Sequence, residues 1–170
     1  HARAPFGVPS LRDEITRSYD DLYRNESTEF ALAYSTTIEL SFKPLARYFV
    51  ENRHVFFDGG DPRVTAFVLW HFVEEFEHKH AMFDVYQAVV GDYWYRLKVS
   101  RRTRAHVTKL AALATNACIA CEKPPTTDPE LTRIPRTRKL RLALGLLETL
   151  SPFHDPRRGR VPQWISDWFA

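Results

Sequence analysis

Hydrophobic residues recur at helical spacing along most of the chain. In SLRDEITRSYDDLYRNE, Leu11, Ile15, Tyr19 and Leu22 fall three or four positions apart, with Ser10 placed as an N-cap and Glu14 following. This predicts a short amphipathic helix after an irregular Pro- and Gly-containing arm, residues 1–9. A second helix, starting at Ser27 or Thr28, is apolar around most of its circumference through EFALAYSTTIELSFKPLARYFVEN, as suits the inside of a bundle. Pro44 should kink it or end its straight part. DGGDP, residues 58–62, is a loop, with Asp61 as cap and Pro62 at the first helical position. A long helix is predicted from Pro62 to about Val90, stopped by Gly91. The run from Tyr93 to Lys123 predicts a helix in one or two pieces. KPPTTDP reads as a linker, and a last amphipathic helix runs from about Arg136 to Leu150. No stretch reads as a strand. The expectation is an all-α protein, a single helical domain over residues 1–170, with its main helices in 27–125 and a linker, helix and tail in 126–170.

The polar residues that interrupt the long helix carry the chemistry. In VLWHFVEEFEHKHAMFDVYQAVV, at about 100° per residue, His71, Glu75, His78 and Met82 share one face. Glu75-x-x-His78 therefore presents a carboxylate and an imidazole one turn apart, the inward-projecting device of di-metal helical bundles. A charged, solvated helix face is the plainer account of such a pair. The flanking Trp70, Phe72, Phe76 and Phe83 argue for burial, where a carboxylate beside an imidazole is expensive without a metal or proton. Glu77 and His80 repeat the spacing in a rotated direction, which predicts surface groups or supporting partners, and Lys79 fits the same outward side. Glu39 is the lone acidic residue between Glu29 and Glu51, set in the apolar run TTIELSF. It needs a partner, either a metal shared with Glu75 or a hydrogen bond from a core Tyr or Thr.

The run WHFVEEFEHKHAMFDVYQ resembles the signature W-H-x-x-E-E-x-E-H-K-x-x-x-F-D-V-Y of the predicted metal-dependent hydrolase family. Trp70, His71, Glu74, Glu75, Glu77, His78, Lys79, Phe83, Asp84, Val85 and Tyr86 carry the match. The helix around Glu39 and the segment SPFHDP, residues 151–156, are similar to family features, so the likeness spans about residues 27–155, with 70–86 as its specific part. The resemblance implies a ferritin-like helical bundle, complete or represented by its C-terminal half. The family pattern also has an earlier helix with a Glu and another with Q-E-x-x-H, which this chain lacks; His1, Ala2 and Arg3 would be the remnant of that motif's H-x-R end. The other half of the site is then missing, supplied by a homo-oligomeric or second chain, or degenerate.

These residues point to a site with two metal ions, iron first and manganese or zinc as alternatives, acting on a small-molecule substrate. Glu39, Glu75, His78 and His71 are the expected ligands, and Glu74 and Asp84 would orient imidazoles or shuttle protons as catalytic groups. The ligand set leans slightly towards oxygen-dependent oxidation, while the family name implies hydrolysis with metal-generated hydroxide. A third reading is a helical binding or assembly subunit with a partial site.

Charge sharpens that third reading. Residues 1–95 hold 9 Lys/Arg against 15 Asp/Glu, and residues 96–170 hold 15 against 6. Basic clusters at Arg101, Arg102 and Arg104, at Arg136, Arg138, Lys139 and Arg141, and at Arg157, Arg158 and Arg160 suit anionic partners, although a solvated face is the commoner role. No nucleic-acid motif is present, so no nucleic-acid partner is expected. No apolar run reaches membrane-spanning length, and no secretory signal is visible. Cys118 and Cys121 lack a second pair and sit in a helical run, which predicts buried small residues and, by default, an intracellular, cytoplasmic setting. Lone His106 and His154 are expected at caps or on the surface. Trp164, Trp168 and Phe169 are expected to close the bundle or dock a partner.

Overall fold

The computed structural model describes residues 8–78, 80–121 and 134–158. They form seven helical segments and no strand: α1 (Val8–Asn25), α2 (Thr28–Glu51), α3 (Arg53–Phe56), α4 (Pro62–His78), α5 (Ala81–Val89), α6 (Tyr93–Cys121) and α7 (Arg136–Glu148). The linker KPPTTDP, Lys79, and the tail aromatics Trp164, Trp168 and Phe169 lie outside the described residues.

Helix α2 is the hub, packing against α4, α5, α6 and α7, while α1 lies against α6. Its apolar circumference is used on both halves. Phe30, Ala33 and Tyr34 join Tyr86 of α5 and Val99 of α6 in one core cluster, with Tyr19 and Leu22 of α1 packed against it. Ala46 and Val50 join Phe72 of α4 in a second, with Phe49, Phe57 and Val68 around it. Burying each of these large side chains contributes roughly 1.5–3 kcal/mol. Polar side chains pair between the helices: Thr37 Oγ1 bonds Ser100 Oγ at 2.9 Å. His106 buckles three helices, its ring nitrogens bonded to Ser18 Oγ at 2.6 Å and Tyr34 Oη at 2.8 Å.

Local signals set most boundaries. Ser27 caps α2 by accepting from Phe30 N at 3.2 Å. Asp61 accepts from Arg63 N at 2.8 Å at the start of α4. Gly91, at φ +64°, ends α5 with its N–H on Tyr86 O. Ser10 is not a cap, because α1 already begins at Val8. Helix α2 continues through Pro44 to Glu51. The residue opposite Pro44 is Gly145 of α7, where an added Cβ would come within 2.9 Å of Pro44 Cβ. The α2–α7 crossing depends on that missing methyl group.

Three other expectations are corrected. Cys118 is exposed, since the last turns of α6 turn Leu110 and Ala117 inward and leave Cys118 and Ile119 facing out; the Cys121 side chain is not described. His106 is part of the helix packing just described, not a surface group. The His154 side chain is only 9% exposed and lies beside Glu148, so it too is an interior residue.

Candidate metal centre

The largest departure from the expected helices defines the site. The segment predicted as one helix to Val90 breaks at residues 79–80, giving α4 and α5. The residue types in HKH favour no such break. Its cause is tertiary: Glu39, midway along α2, accepts a hydrogen bond at 3.0 Å from Met82 N, one of the unpaired N–H groups of the first turn of α5. Thr36 Oγ1 donates to Met82 O at 3.0 Å. One α2 face thus grips both sides of a single residue of α5, and the negative carboxylate sits at the positive end of that helix.

Glu39 therefore has a partner, which is neither the Tyr nor the Thr hydroxyl that sequence reasoning offered. Burial pushes its carboxyl above the usual range; the Met82 N–H pulls it back, Glu75 raises it, and His78 and His80 lower it. Glu75, His78 and His80 thus lie within electrostatic reach of Glu39 around the α4–α5 junction.

Glu75 is 24% exposed and its Oε1 lies 3.7 Å from His71 Nε2. His71 Nδ1 is 3.9 Å from Glu74 Oε2. Both spacings exceed a hydrogen bond. The His71 ring meets Phe42 of α2 edge-on, with centroids 5.8 Å apart. His78 is exposed, and so is Trp70, while Phe72, Val73 and Phe76 are buried. The site is consequently an open face, not the enclosed carboxylate–imidazole pair that the flanking aromatics suggested. Asp84 is ion-paired with Arg157 and ties the 151–158 segment to α5; no imidazole is within ion-pair distance of it among the described residues. The Glu77 side chain is not described.

His80, expected as a surface group or supporting partner rotated away from Glu75, is the N-cap of α5 and lies within electrostatic reach of Glu39. Its Nδ1 is buried and has no hydrogen-bond partner among the described residues. An orphaned imidazole nitrogen is what a metal or a proton would satisfy. By donor type, two carboxylates and two or three imidazoles fit a divalent first-row ion. Among the described residues, however, no three His, Cys, Asp or Glu side chains already converge closely enough to hold one. Glu75 stands next to His71, while Glu39 has Glu75, His78 and His80 only within electrostatic reach. Nor do they line a described cleft. The α2–α7 cavity, of about 240 Å³, is bounded instead by residues such as Lys43, Arg47, Arg138 and His154.

The described residues are all-helical, with carboxylate and imidazole side chains gathered where α4 ends and α5 begins against α2. The chain itself is matched over residues 2–160 by the model of the predicted metal-dependent hydrolase family, and it belongs to that family. The match is wider than the 27–155 span that the motifs suggested. Comparison with curated proteins and with solved structures returns no significant match.

Proposed function

We propose that this chain is a metal-dependent hydrolase whose metal-binding face is formed by Glu39, Glu75, His78 and His80, with His71 as a further donor. The observation that carries the reading is the α4–α5 break, at which His80, its buried Nδ1 without a hydrogen-bond partner among the described residues, lies within electrostatic reach of Glu39. The family supports hydrolysis better than the oxygen-dependent oxidation towards which the ligand set leaned. Neither the identity nor the number of the metals enters this reading.

A bound divalent ion would supply Lewis acidity and a water of lowered pKa. The remaining work falls to the chain's own groups. Glu39 is fixed by Met82 N, so its carboxylate is oriented before any ligand arrives. Glu74 lies where it can orient His71 and take up a proton. The exposure of His78, Glu75 and His71 leaves the face open to a small-molecule substrate. Further coordination comes from water, substrate, or donors on a second chain.

The test is turnover of a panel of ester and amide substrates by the purified chain with manganese, zinc or ferrous ion. Hydrolysis that chelation abolishes, and that Glu75→Ala and His78→Ala each reduce at least a hundredfold, supports the proposal. Metal-independent hydrolysis unchanged in both variants refutes it.

A further inference from the structure

A second cluster lies on α6, away from the donor face. Lys98, Arg101 and Arg104 follow one another at three-residue spacing and line a cleft of about 530 Å³ together with Trp94, Leu97 and Leu150. Lys98 and Arg101 are exposed and pair with no carboxylate among the described residues, whereas the adjacent Arg102 holds Glu26. Arg104 reaches inward: its Nη2 donates to Leu146 O and to Thr149 Oγ1, both at 2.8 Å. Its Nε is sealed from solvent and has no hydrogen-bond partner. Burial alone pulls its guanidinium below the usual value, with no acidic group to offset the cost. Arg104 is thus a half-buried cation with no carboxylate partner among the described residues, where charges taken out of water are ordinarily paired.

The rest of the lining is apolar. Trp94 is 74% exposed, its ring meeting only that of Tyr93 among the described residues. Three cations beside an indole and two leucines match a dianionic group attached to an apolar or aromatic body. A phosphate monoester supplies the charge and the acceptor oxygens for the guanidinium donors.

We propose that the cleft between α6 and the end of α7 binds a phosphate monoester, with Lys98, Arg101 and Arg104 on the phosphate and Trp94, Leu97 and Leu150 on the apolar body. The ester can be a free small molecule or a lipid headgroup, and the site stands independently of the metal face.

Phenyl phosphate and inorganic phosphate are titrated calorimetrically into the full chain, and cosedimentation is measured with phosphatidate-containing and with pure phosphatidylcholine vesicles. Saturable phenyl phosphate binding, tighter than inorganic phosphate and weakened roughly tenfold or more by Lys98→Gln and by Arg101→Gln, supports the proposal with a soluble ligand. Cosedimentation only with phosphatidate, lost in the same variants, supports it with a lipid source. Both variants alter exposed residues and leave Arg104 in place, so folding is preserved. No binding to any probe overturns the proposal. So does equal weakening by Arg102→Gln, which changes a neighbouring charge outside the cleft and would mark diffuse attraction alone.

Discussion

Replacing Glu39 separates its structural role from its role as a metal donor. In the metal-free protein its carboxylate accepts from Met82 N at 3.0 Å while half buried in the middle of α2. Glu39→Leu removes the acceptor and leaves a helix-terminal N–H facing an apolar side chain. An unsatisfied donor in such a place costs about 1–3 kcal/mol, and the lost interaction with the helix dipole adds roughly 0.3–1 kcal/mol. Glu39→Gln keeps an acceptor oxygen of similar reach. It gives up the dipole term but also sheds the desolvation that raises the carboxyl, so the net change should stay within about 1 kcal/mol. Urea unfolding of the metal-free chain followed by circular dichroism should therefore give wild type ≈ Glu39→Gln > Glu39→Leu, with a lower midpoint for the leucine variant. Metal affinity should fall in both. A leucine variant as stable as wild type would refute the claim that Glu39 holds the start of α5.

Other expectations follow from particular contacts. Gly145→Ala would ordinarily favour a helix by about 1 kcal/mol; here the methyl group meets the rigid Pro44 ring, so thermal unfolding should show net destabilisation of roughly 1–3 kcal/mol, and an upward shift in Tm would contradict the close crossing. Burial holds the imidazoles of His106 and His154 below their ordinary value, with Lys109 adding to the effect at His106 and Glu148 opposing it at His154. Since the unfolded chain then binds more protons, their stabilisation is present above about pH 6.5 and is lost as pH falls through that value towards the folded pKa values. Urea midpoints between pH 7.5 and 5.5 should show this loss, and a His106→Gln/His154→Gln variant should show a flatter dependence; an unchanged slope would count against it. Exposed Cys118 should react with a thiol reagent under native conditions, as peptide mass mapping can show, and protection until unfolding would restore the buried assignment.

Much of the architecture was legible in periodicity and caps. The apolar circumference of α2 marked the central helix, and Ser27, Asp61, Pro62 and Gly91 marked boundaries that the structure keeps. What periodicity could not carry was any feature made by contact between distant segments. The α4–α5 break has no breaker residue; it exists because Glu39, 43 positions before Met82, captures a backbone N–H. A strict 3.6-residue repeat therefore did not reveal that His80 is the N-cap of α5. The isolated acidic residue in an apolar helix was the available signal, and it identified Glu39 without revealing which group it meets. Aromatic neighbours misled about enclosure for a related reason: Phe72 and Phe76 bury their own face of α4, while His78 and His71 occupy the other. Exposure of Cys118 and burial of His154 likewise depend on which helices lie alongside, and residue type alone does not record that.

The central claim is tested most directly by elemental analysis of the purified chain, alongside a Glu75→Ala/His78→Ala double variant whose folding is confirmed by circular dichroism. The account predicts roughly one or two equivalents of iron, manganese or zinc per chain in the wild type, as carboxylate–histidine sites hold, and their loss from the folded variant. Failure of the wild-type chain to retain metal after reconstitution, or equal retention by the double variant, would contradict it.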